Sequence, residues 1–486
     1  MNFWTMENLK ALLGGGWLAR GDAPELSGLS IDTRTLRPRQ VFLALKGERT
    51  DGHAYLADAV AAGAGLLVID DARAMPAGGF GRAVGVIQVA NTGAALLKLG
   101  AAYRRTLENT RVIAVGGSNG KTTTVRLVHA ALTGSLRGSH SPKSFNNAVG
   151  VPLTLLAAKR TDQYLICEVG TNAPGEIAPL AEAIEPDVAV ITSIGREHLE
   201  GLGSLEGVIR EEVTLLKGLR EGGVAVLNAD APRLVEAARP IVAAQKGTIL
   251  TFGFSDAADL RITRCGVSGR GTEFTLNDRH ELRLPIPGTH NATNGAAAVA
   301  VARRLGVDHA VIEAGLAGAS GAPMRMERED AAGVRFVNDA YNANPESMLA
   351  AIETFGAIAR GGDSAAGGRV VVMLGDMLEL GEQSAGAHRE VGRAVAGCGW
   401  IDLAVFVGPM MGLASDEARA ALGEKRVAAL ANLDGERPSR AAELLRAGDL
   451  VLLKGSRGTG MERVLDAVRA REPARLEPKP AGGPDR

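Results

Sequence analysis

Short runs of consecutive apolar residues recur along the chain, and most of them are followed by glycine-rich or polar turns. Such runs predict buried strands, and the apolar residues at helical spacing between them predict helices. Strands that alternate with helices are typical of α/β folds with mostly parallel sheets, whose ligands bind at the carboxyl ends of the strands. The pattern therefore predicts an α/β protein that carries its chemistry in the turns after its strands.

The spacing of the runs predicts three domains and a tail. We expect residues 1–106 to form a small α/β domain, residues 107–321 a central domain with a mostly parallel sheet, and residues 322–470 a Rossmann-like α/β domain. The glycine-rich residues 361–368 predict a flexible surface insertion. Residues 471–486 carry four prolines and several charges and predict a disordered tail.

The central domain opens on a strand at residues 112–115, a glycine-rich turn, and a helix from residue 121 to residue 132. The turn has the spacing Gly-x-x-x-Gly-Lys-Thr, in which backbone N–H groups bind phosphate, Lys121 reaches the terminal phosphates and the Thr122 hydroxyl binds magnesium. Glycine-rich turns are ordinary in α/β folds, but the lysine and the threonine favour nucleotide binding. The expected contacts are Gly117, Ser118, Asn119, Gly120, Lys121, Thr122 and Thr123.

Two later strand ends supply candidate metal ligands. Glu168 lies in the strand predicted at residues 164–170, and an acid at the carboxyl end of a strand can hold magnesium. His198 follows the strand predicted at residues 188–194. A lone histidine there is more often a surface residue, but its position beside the predicted phosphate site makes it a candidate ligand.

Two other polar segments allow more than one interpretation. Asn291 and Asn294 precede the helix predicted at residues 295–304, where an amide serves either as a helix cap or as a partner for an adenine edge. Residues 30–34 are equally typical of a capped turn and of a binding segment, in which threonine and arginine hold a phosphate.

Composition narrows the class of protein. The 486 residues include 54 basic and 55 acidic side chains, so the chain has no general electrostatic attraction for nucleic acid or an anionic membrane. Three widely separated cysteines suit a reducing compartment. No apolar run approaches the ~20 residues of a membrane helix, and the N-terminus lacks a signal-peptide pattern. We therefore expect a cytoplasmic protein.

These motifs resemble the Mur ligase family over nearly the whole chain except the tail. Residues 117–122 resemble the short phosphate loop that Mur ligases share with folylpolyglutamate synthases, one residue shorter than the commonest Walker A pattern. The resemblance implies ATP as the nucleotide and Mg2+ as the metal. The implied magnesium ligands are Thr122, Glu168 and His198, and the implied further nucleotide contacts are Asn291, Arg325 and Asp339.

The terminal domains resemble particular parts of the family. Residues 339–347, 374–381 and 454–457 resemble the ligase that adds D-alanyl-D-alanine, and residues 30–34 resemble a UDP-sugar-binding module. The resemblance implies substrate contacts from Ser30, Thr33, Arg34, Asn146, Asn147, Tyr341, Asn342, Asn344, Lys454, Ser456 and Arg457.

One position departs from the family. Several relatives carry a lysine, modified by carbon dioxide to a carbamate, in the helix after residues 198–200, and the aligned residue here is Glu212. Either Glu212 supplies a carboxylate to magnesium directly, or it is a solvated helix residue.

The implied reaction is ATP-dependent ligation of D-alanyl-D-alanine to UDP-N-acetylmuramoyl-tripeptide through an acyl phosphate, in peptidoglycan precursor synthesis, with Lys121, Glu168 and His198 as catalytic residues. We expect a monomer that binds neither nucleic acid nor, stably, a membrane. The alternatives are a Mur ligase that adds another amine, a ligase similar to folylpolyglutamate synthase, and a nucleotide-switched binding protein without ligase activity. The last has little need of a UDP-sugar module.

Overall fold

Three β-sheets organise the described part of the chain, which comprises residues 2–22, 25–363 and 368–471 of a computed structural model. The sheets have five, nine and six strands and follow one another along the sequence, so the predicted three-domain α/β architecture is confirmed. The predicted disordered tail beyond residue 471 and the centre of the predicted insertion lie outside the described residues. Every helix within the described residues is too short or too polar to span a bilayer.

The N-terminal domain is built on a small sheet. Its strands are β1 (Gly16–Ala19), β2 (Leu29–Ser30), β3 (Val41–Leu43), β4 (Leu66–Ile69) and β5 (Gly85–Gln88), and its helices are α1 (Met6–Leu13), α2 (Leu56–Ala61) and α3 (Thr92–Arg104). The strand order is β1-β5-β4-β3-β2, in which β2 to β5 are parallel and β1 pairs antiparallel with β5. The last helix, α3, packs against the next domain.

The central domain holds the largest sheet. Its strands are β6 (Arg111–Gly116), β7 (Gly138–His140), β8 (Tyr164–Glu168), β9 (Val188–Ile191), β10 (Val224–Asn228), β11 (Thr248–Gly253), β12 (Leu260–Ser268), β13 (Gly271–Leu276) and β14 (His280–Leu284). The order is β14-β13-β12-β11-β10-β9-β6-β8-β7. Strands β6 to β12 are parallel, as predicted, whereas β12 to β14 form an antiparallel extension that the apolar runs did not indicate.

Helices cover both faces of the central sheet. They are α4 (Lys121–Thr133), α5 (Gly150–Ala157), α6 (Ile177–Ile184), α7 (Leu199–Leu202), α8 (Leu205–Glu212), α9 (Pro232–Ala244), α10 (Thr289–Arg304) and α11 (His309–Ala317). Along β6, Val112 and Ala114 pack into one core cluster and Ile113 and Val115 into another. Successive strand residues point to opposite faces, so burial on both faces requires the continuous apolar run that the sequence shows.

The C-terminal domain is a six-stranded sheet with helices on both faces. Its strands are β15 (Glu327–Ala331), β16 (Val334–Asp339), β17 (Val370–Gly375), β18 (Leu403–Val407), β19 (Val427–Leu430) and β20 (Leu450–Lys454), and its helices are α12 (Pro345–Ile358), α13 (Ser384–Ala396), α14 (Met411–Leu422), α15 (Arg437–Glu443) and α16 (Glu462–Arg469). The order is β15-β16-β20-β17-β18-β19, with β15 antiparallel and the other strands parallel.

The helix predicted at residues 295–304 begins earlier, at Thr289, so neither Asn291 nor Asn294 caps it. Asn291 Nδ2 donates to the Pro287 carbonyl at 2.8 Å, and Asn294 Nδ2 donates to Asn291 Oδ1 at 3.1 Å. These bonds satisfy the buried amides within α10, which removes the usual penalty for asparagine in a helix. The capping interpretation is therefore wrong.

Arg104 joins the N-terminal domain to the central domain. Its side chain is 3% exposed and donates to the carbonyls of Ile184, at 2.7 Å, and Glu185, at 2.8 Å, and to the Asp187 carboxylate at 3.3 Å. The two carbonyls lie at the end of α6, so the guanidinium satisfies helix-terminal groups that have no partner within the helix.

We expect Arg104→Met to lower the free energy of unfolding by about 3 kcal/mol, because it leaves buried carbonyls and a carboxylate unpaired. The neighbouring Arg105→Met is the matched control, since that side chain is 65% exposed and its ion pair with Glu185 lies at the surface. Its expected cost is below about 1 kcal/mol. Urea denaturation of both variants measures the difference, and equal losses would contradict the role given to Arg104.

Candidate active site

The phosphate loop between β6 and α4 is the point on which the other site residues converge. Gly117 and Gly120 have left-handed backbone angles, with φ of 112° and 85°. A Cβ atom at Gly117 would lie 2.4 Å from Thr192 Oγ1, and one at Gly120 would lie 2.3 Å from Asn294 Oδ1. Both positions therefore require glycine, and the loop is fixed between the end of β9 and α10.

Lys121, the predicted phosphate-binding lysine, lies over this loop at the first position of α4. Its Nζ donates to the carbonyls of Gly117, at 2.5 Å, and Ser118, at 3.1 Å, and lies 3.8 Å from Glu197 Oε1. The amino end of α4 adds partial positive charge at the same place. The ammonium group and the helix end together favour an anion such as a phosphate.

Glu168, at the end of β8, has a carboxylate oxygen without a hydrogen-bond partner among the described residues. Its Oε1 accepts from Asn146 Nδ2 at 3.0 Å, whereas Oε2 is buried and unpaired. Burial raises the pKa of this carboxyl above its usual value, and the cations of Arg325 and Lys121 oppose that shift. A cation is the partner that such an oxygen lacks, so the Glu168 carboxylate fits a magnesium ligand.

Thr122 presents its hydroxyl close to Glu168. Its Oγ1 accepts from Arg325 Nη2 at 3.1 Å and lies 3.3 Å from Ser144 Oγ. Within residues 2–22, 25–363 and 368–471, no three His, Cys, Asp or Glu side chains are grouped as a ready metal site. Protein-bound Mg2+ usually takes one or two carboxylates and completes its shell with substrate phosphates and water. Thr122 and Glu168 therefore suit Mg2+ that is held together with a nucleotide.

His198 lies in the turn after β9, with a left-handed backbone angle of φ 50°. Its Nδ1 donates to the carboxylate of Glu379 in the C-terminal domain, and its Nε2 lies 3.9 Å from Glu197 Oε2. Burial lowers the pKa of the imidazole, although the Glu379 carboxylate opposes the shift. A neutral imidazole can bind a cation through its free nitrogen.

Glu212 is fully buried beneath the phosphate loop, so its interpretation as a solvated helix residue is wrong. Its Oε2 accepts from the Gly117 N–H at 2.7 Å, and its Oε1 has no hydrogen-bond partner among the described residues. Burial raises the pKa of this carboxyl to about 7, with the Lys121 ammonium opposing. The carboxylate thus supports the loop from below and keeps one oxygen for another partner.

Glu197 is a site residue that the sequence did not single out. It is 8% exposed and lies between Lys121 and His198, and burial is the main cause that raises its pKa to about 8. Glu197 could have been predicted from its position immediately before His198, in a turn at the carboxyl end of β9. Side chains in such turns face the ligand.

The C-terminal domain contacts the phosphate loop directly. Arg325 Nη2 donates to Thr122 Oγ1 at 3.1 Å, and the same guanidinium lies 4.2 Å from the centre of the Tyr341 ring. Asn344, which caps α12, donates to Asn119 Oδ1 at 3.0 Å. The loop is therefore enclosed by residues from two domains.

Asp339 and Lys454 form a pair at the ends of the adjacent strands β16 and β20. Lys454 Nζ donates to Asp339 Oδ2 at 2.6 Å and to the Asn342 carbonyl at 3.2 Å, and Asp339 Oδ1 accepts from the Met326 N–H at 3.1 Å. Lys454 is 2% exposed. This pairing fixes both groups at the carboxyl ends of their strands, where ligands of α/β sheets are expected to bind.

One cavity of about 1020 Å³ collects most of the predicted residues from the two domains. Its lining includes the predicted substrate residues Asn146 and Asn147 and all those of the C-terminal domain. It also includes all the predicted nucleotide and metal contacts except Gly117, Thr122 and Glu212. The predicted N-terminal contacts Ser30, Thr33 and Arg34 do not line it.

The predicted N-terminal contacts lie on a short segment of their own domain, outside this cavity. Arg34 is 86% exposed and pairs with the Asp32 carboxylate at 2.6 Å, and its hydrogen bonds are the main cause that lowers the Asp32 pKa to about 2. Ser30 Oγ donates to the Asp32 carbonyl at 2.9 Å. An anionic ligand at this segment would therefore meet an arginine that already has a carboxylate partner.

Three domains of one known family match consecutive parts of the chain. Residues 25–107 match the catalytic domain of the Mur ligase family, residues 115–302 match the Mur ligase middle domain, and residues 324–457 match the Mur ligase glutamate ligase domain. The chain belongs to the Mur ligase family, as its motifs predict.

Relatives that are about 30% identical to the chain over most of its length include ligases with the following names. The UDP-N-acetylmuramoyl-tripeptide--D-alanyl-D-alanine ligase of Bacillus subtilis is 35% identical over 90% of this chain and 92% of its own. The crystal structure of MurF from Acinetobacter baumannii, 31% identical, has a TM-score of 0.81 and covers 96% of this chain and 98% of its own. MurF ligase from Thermotoga maritima, solved in complex with ADP, is 27% identical with a TM-score of 0.73, covering 91% and 97%.

The two buried acids predict that the stability of the ligand-free protein falls as pH rises. The pKa values of Glu197 and Glu212 rise from 4.5 to about 8 and about 7, so above pH 4.5 the folded protein holds more protons than the unfolded chain. Glu212→Gln cannot ionise but still accepts from Gly117. In this variant the free energy of unfolding should fall less steeply with rising pH below about pH 7.

Thermal unfolding without nucleotide, followed from about pH 5 to pH 8, measures this effect. Glu206→Gln is the matched control, because Glu206 lies on the same helix, α8, and is 54% exposed. Its pH profile should follow that of the wild type. Parallel profiles for the wild type and Glu212→Gln would contradict the burial of an ionisable Glu212.

Proposed function

We propose that this protein joins D-alanyl-D-alanine to UDP-N-acetylmuramoyl-tripeptide at the expense of ATP, yielding the pentapeptide precursor of peptidoglycan, ADP and phosphate. The observation that carries the proposal is the shared cavity, in which the phosphate loop of the central domain faces the strand-end turns of the C-terminal domain. A phosphorylated carboxylate and an amine can meet there. Relatives that share most of the chain bear the name of this activity.

The geometry suits a reaction in two steps. The substrate carboxylate attacks the γ-phosphorus of ATP, and ADP leaves, which gives an acyl phosphate. The amine of D-alanyl-D-alanine then attacks the acyl carbon, the bond to phosphate breaks, and the amine loses a proton. Lys121 lies over the phosphate loop and would neutralise charge on the transferred phosphoryl group.

The proposed nucleotide contacts are divided between the domains. Residues 117–123 would hold the phosphates, while Arg325, Asp339 and Asn291 would contact the rest of the nucleotide from the cavity wall. Arg325 suits this role because its guanidinium already bridges the domains through Thr122 and stacks on Tyr341.

The proposed Mg2+ ligands are Thr122, Glu168 and His198. Bound Mg2+ would withdraw negative charge from the phosphate oxygens. We propose Glu212 as the group that replaces the carbamylated lysine of several relatives, through Oε1, because Oε2 is engaged by the Gly117 N–H. The unpaired oxygens of Glu168 and Glu212 support this assignment.

The two acceptor substrates would bind on either side of the nucleotide. We assign the UDP-sugar end to Ser30, Thr33 and Arg34, and the incoming dipeptide to the cavity rim. The rim contacts are Asn146, Asn147, Tyr341, Asn342, Asn344, Lys454, Ser456 and Arg457. Because all these groups belong to one chain, we propose that the enzyme acts as a monomer, and we place it in the cytoplasm, where its nucleotide substrates are.

We expect Lys121→Ala to abolish phosphate release that depends on D-alanyl-D-alanine, a loss of at least ~10³-fold, because the charge on the transferred phosphoryl group is then uncompensated. Lys246→Ala is the control: that lysine is 77% exposed, pairs with Glu221 and should leave the rate unchanged. Mass spectrometry of the product, with the lysine and the diaminopimelate tripeptides, identifies the bond formed.

Amines other than D-alanyl-D-alanine separate the proposal from its rivals. Stimulation by D-alanyl-D-alanine alone supports the proposed reaction, and stimulation by diaminopimelate, lysine or glutamate would assign the chain to another ligase of the same fold. ATP binding without any substrate-dependent peptide bond would indicate a nucleotide switch. Normal turnover in Lys121→Ala would overturn the assignment of the phosphate site.

A further inference from the structure

The turn after β9 meets the C-terminal domain at two facing residues with unusual backbone angles. His198 has φ 50° and Glu379 has φ 62°, both in the left-handed region that costs non-glycine residues free energy. The Glu200 N–H donates to the Glu379 carbonyl at 3.1 Å, and His198 Nδ1 donates to the Glu379 carboxylate. Backbone and side chain of Glu379 are therefore both engaged by one short segment of the central domain.

The chemistry of this contact fixes the tautomer of His198. An ionised carboxylate only accepts hydrogen bonds, so the proton of a neutral imidazole must lie on Nδ1. The lone pair of Nε2 is then free, and Nε2 lies 3.9 Å from Oε2 of Glu197, which lines the same cavity as His198. Histidines that bind metals generally donate their other ring N–H to a carboxylate or a carbonyl in this way.

A second contact holds the same turn against the C-terminal domain. Arg196 Nε donates to Glu346 Oε1 at 2.6 Å, the Arg196 backbone N–H donates to Glu346 Oε2 at 2.9 Å, and its Nη1 donates to Glu390 Oε2 at 2.9 Å. Glu346 lies in the first turn of α12 and Glu390 lies on α13. These bonds hold the turn beside His198 in a fixed position against the C-terminal domain.

We propose that Glu379 is a positioning residue for His198, so that the C-terminal domain prepares a cation ligand of the central domain. The proposal rests on the proposed function, in which His198 binds Mg2+. In this role Glu379 acts through His198, whose Nδ1 it engages. Its carboxylate orients the imidazole ring and places the proton on Nδ1. The metal ligand is thus oriented only where the C-terminal domain contacts the turn after β9, which ties phosphoryl transfer to the presence of that domain.

The tautomer of His198 tests the proposal without any enzymatic turnover. Nitrogen NMR of the full chain labelled with ¹⁵N-histidine, with a non-hydrolysable ATP analogue and without divalent cation, distinguishes a protonated Nδ1 from a protonated Nε2. The His198 signals are assigned by their loss in His198→Gln. We expect a protonated Nδ1 in the wild type and in Glu379→Gln, whose amide oxygen still accepts, and a shift toward protonated Nε2 in Glu379→Ala.

The matched control is Glu382→Gln, since Glu382 is an exposed acid three residues further along the same segment. It should leave the His198 signals unchanged. A protonated Nε2 in the wild type, or a protonated Nδ1 that persists in Glu379→Ala, would overturn the proposal. Neither outcome depends on whether the chain is a ligase, so failure of this inference is distinguishable from failure of the proposed function.

Metal dependence supplies the second measurement. In Glu379→Ala the Mg2+ concentration that gives half-maximal activity should rise ~10-fold or more, whereas the KM for D-alanyl-D-alanine should change less than about twofold. Glu379→Gln should recover most of the wild-type response. An unchanged Mg2+ requirement in Glu379→Ala would overturn the link between Glu379 and the metal ligand even if the tautomer shifts.

Discussion

Gly117 and Gly120 admit no side chain, and this constraint fixes where the phosphate loop sits. The loop is fixed between β9 and α10, and Glu212 holds it from below through the Gly117 N–H. The side chains of Lys121, Glu197 and Thr122 lie around this tightly packed backbone. A preorganised loop of this kind binds phosphate without first having to become ordered. Enzymes of phosphoryl transfer gain most of their rate enhancement from such positioning and from electrostatic stabilisation.

The second constraint is that the loop is enclosed from outside by another domain. Arg325 and Asn344 contact the loop itself, while Arg196 and Glu379 connect the turn after β9 to the C-terminal domain. Ion pairs cross this boundary, because Arg196 pairs with Glu346 and Glu390 and His198 pairs with Glu379. The cavity therefore belongs to neither domain alone.

Sequence patterns predicted the parts of this structure that depend on interactions between residues close together in the chain. The apolar run of β6 and the glycines, lysine and threonine after it define a strand, a turn and a helix with no reference to the rest of the chain. Burial of Glu212 and the contact between His198 and Glu379 depend on segments far apart in sequence, and no single-sequence pattern reports them. The early start of α10 was missed because asparagine usually favours turns, whereas here Asn291 bonds to Pro287 just before the helix and Asn294 bonds to Asn291. The assignments of individual substrate contacts remain predictions.

One hydrophobic cluster includes residues from both the N-terminal and the central domain, from Phe3 through Tyr103 to Val242. Beside it, Arg104 binds the end of α6. The first two sheets consequently share an interior, although they look like separate domains in the sequence. The cluster that joins the central and C-terminal domains draws only Leu199, Leu202 and Val208 as buried residues from the central side. A chain shortened to begin at residue 107 would expose the face of that cluster that α1 and α3 cover. The N-terminal domain is thus part of the support of the sheet that carries the phosphate loop.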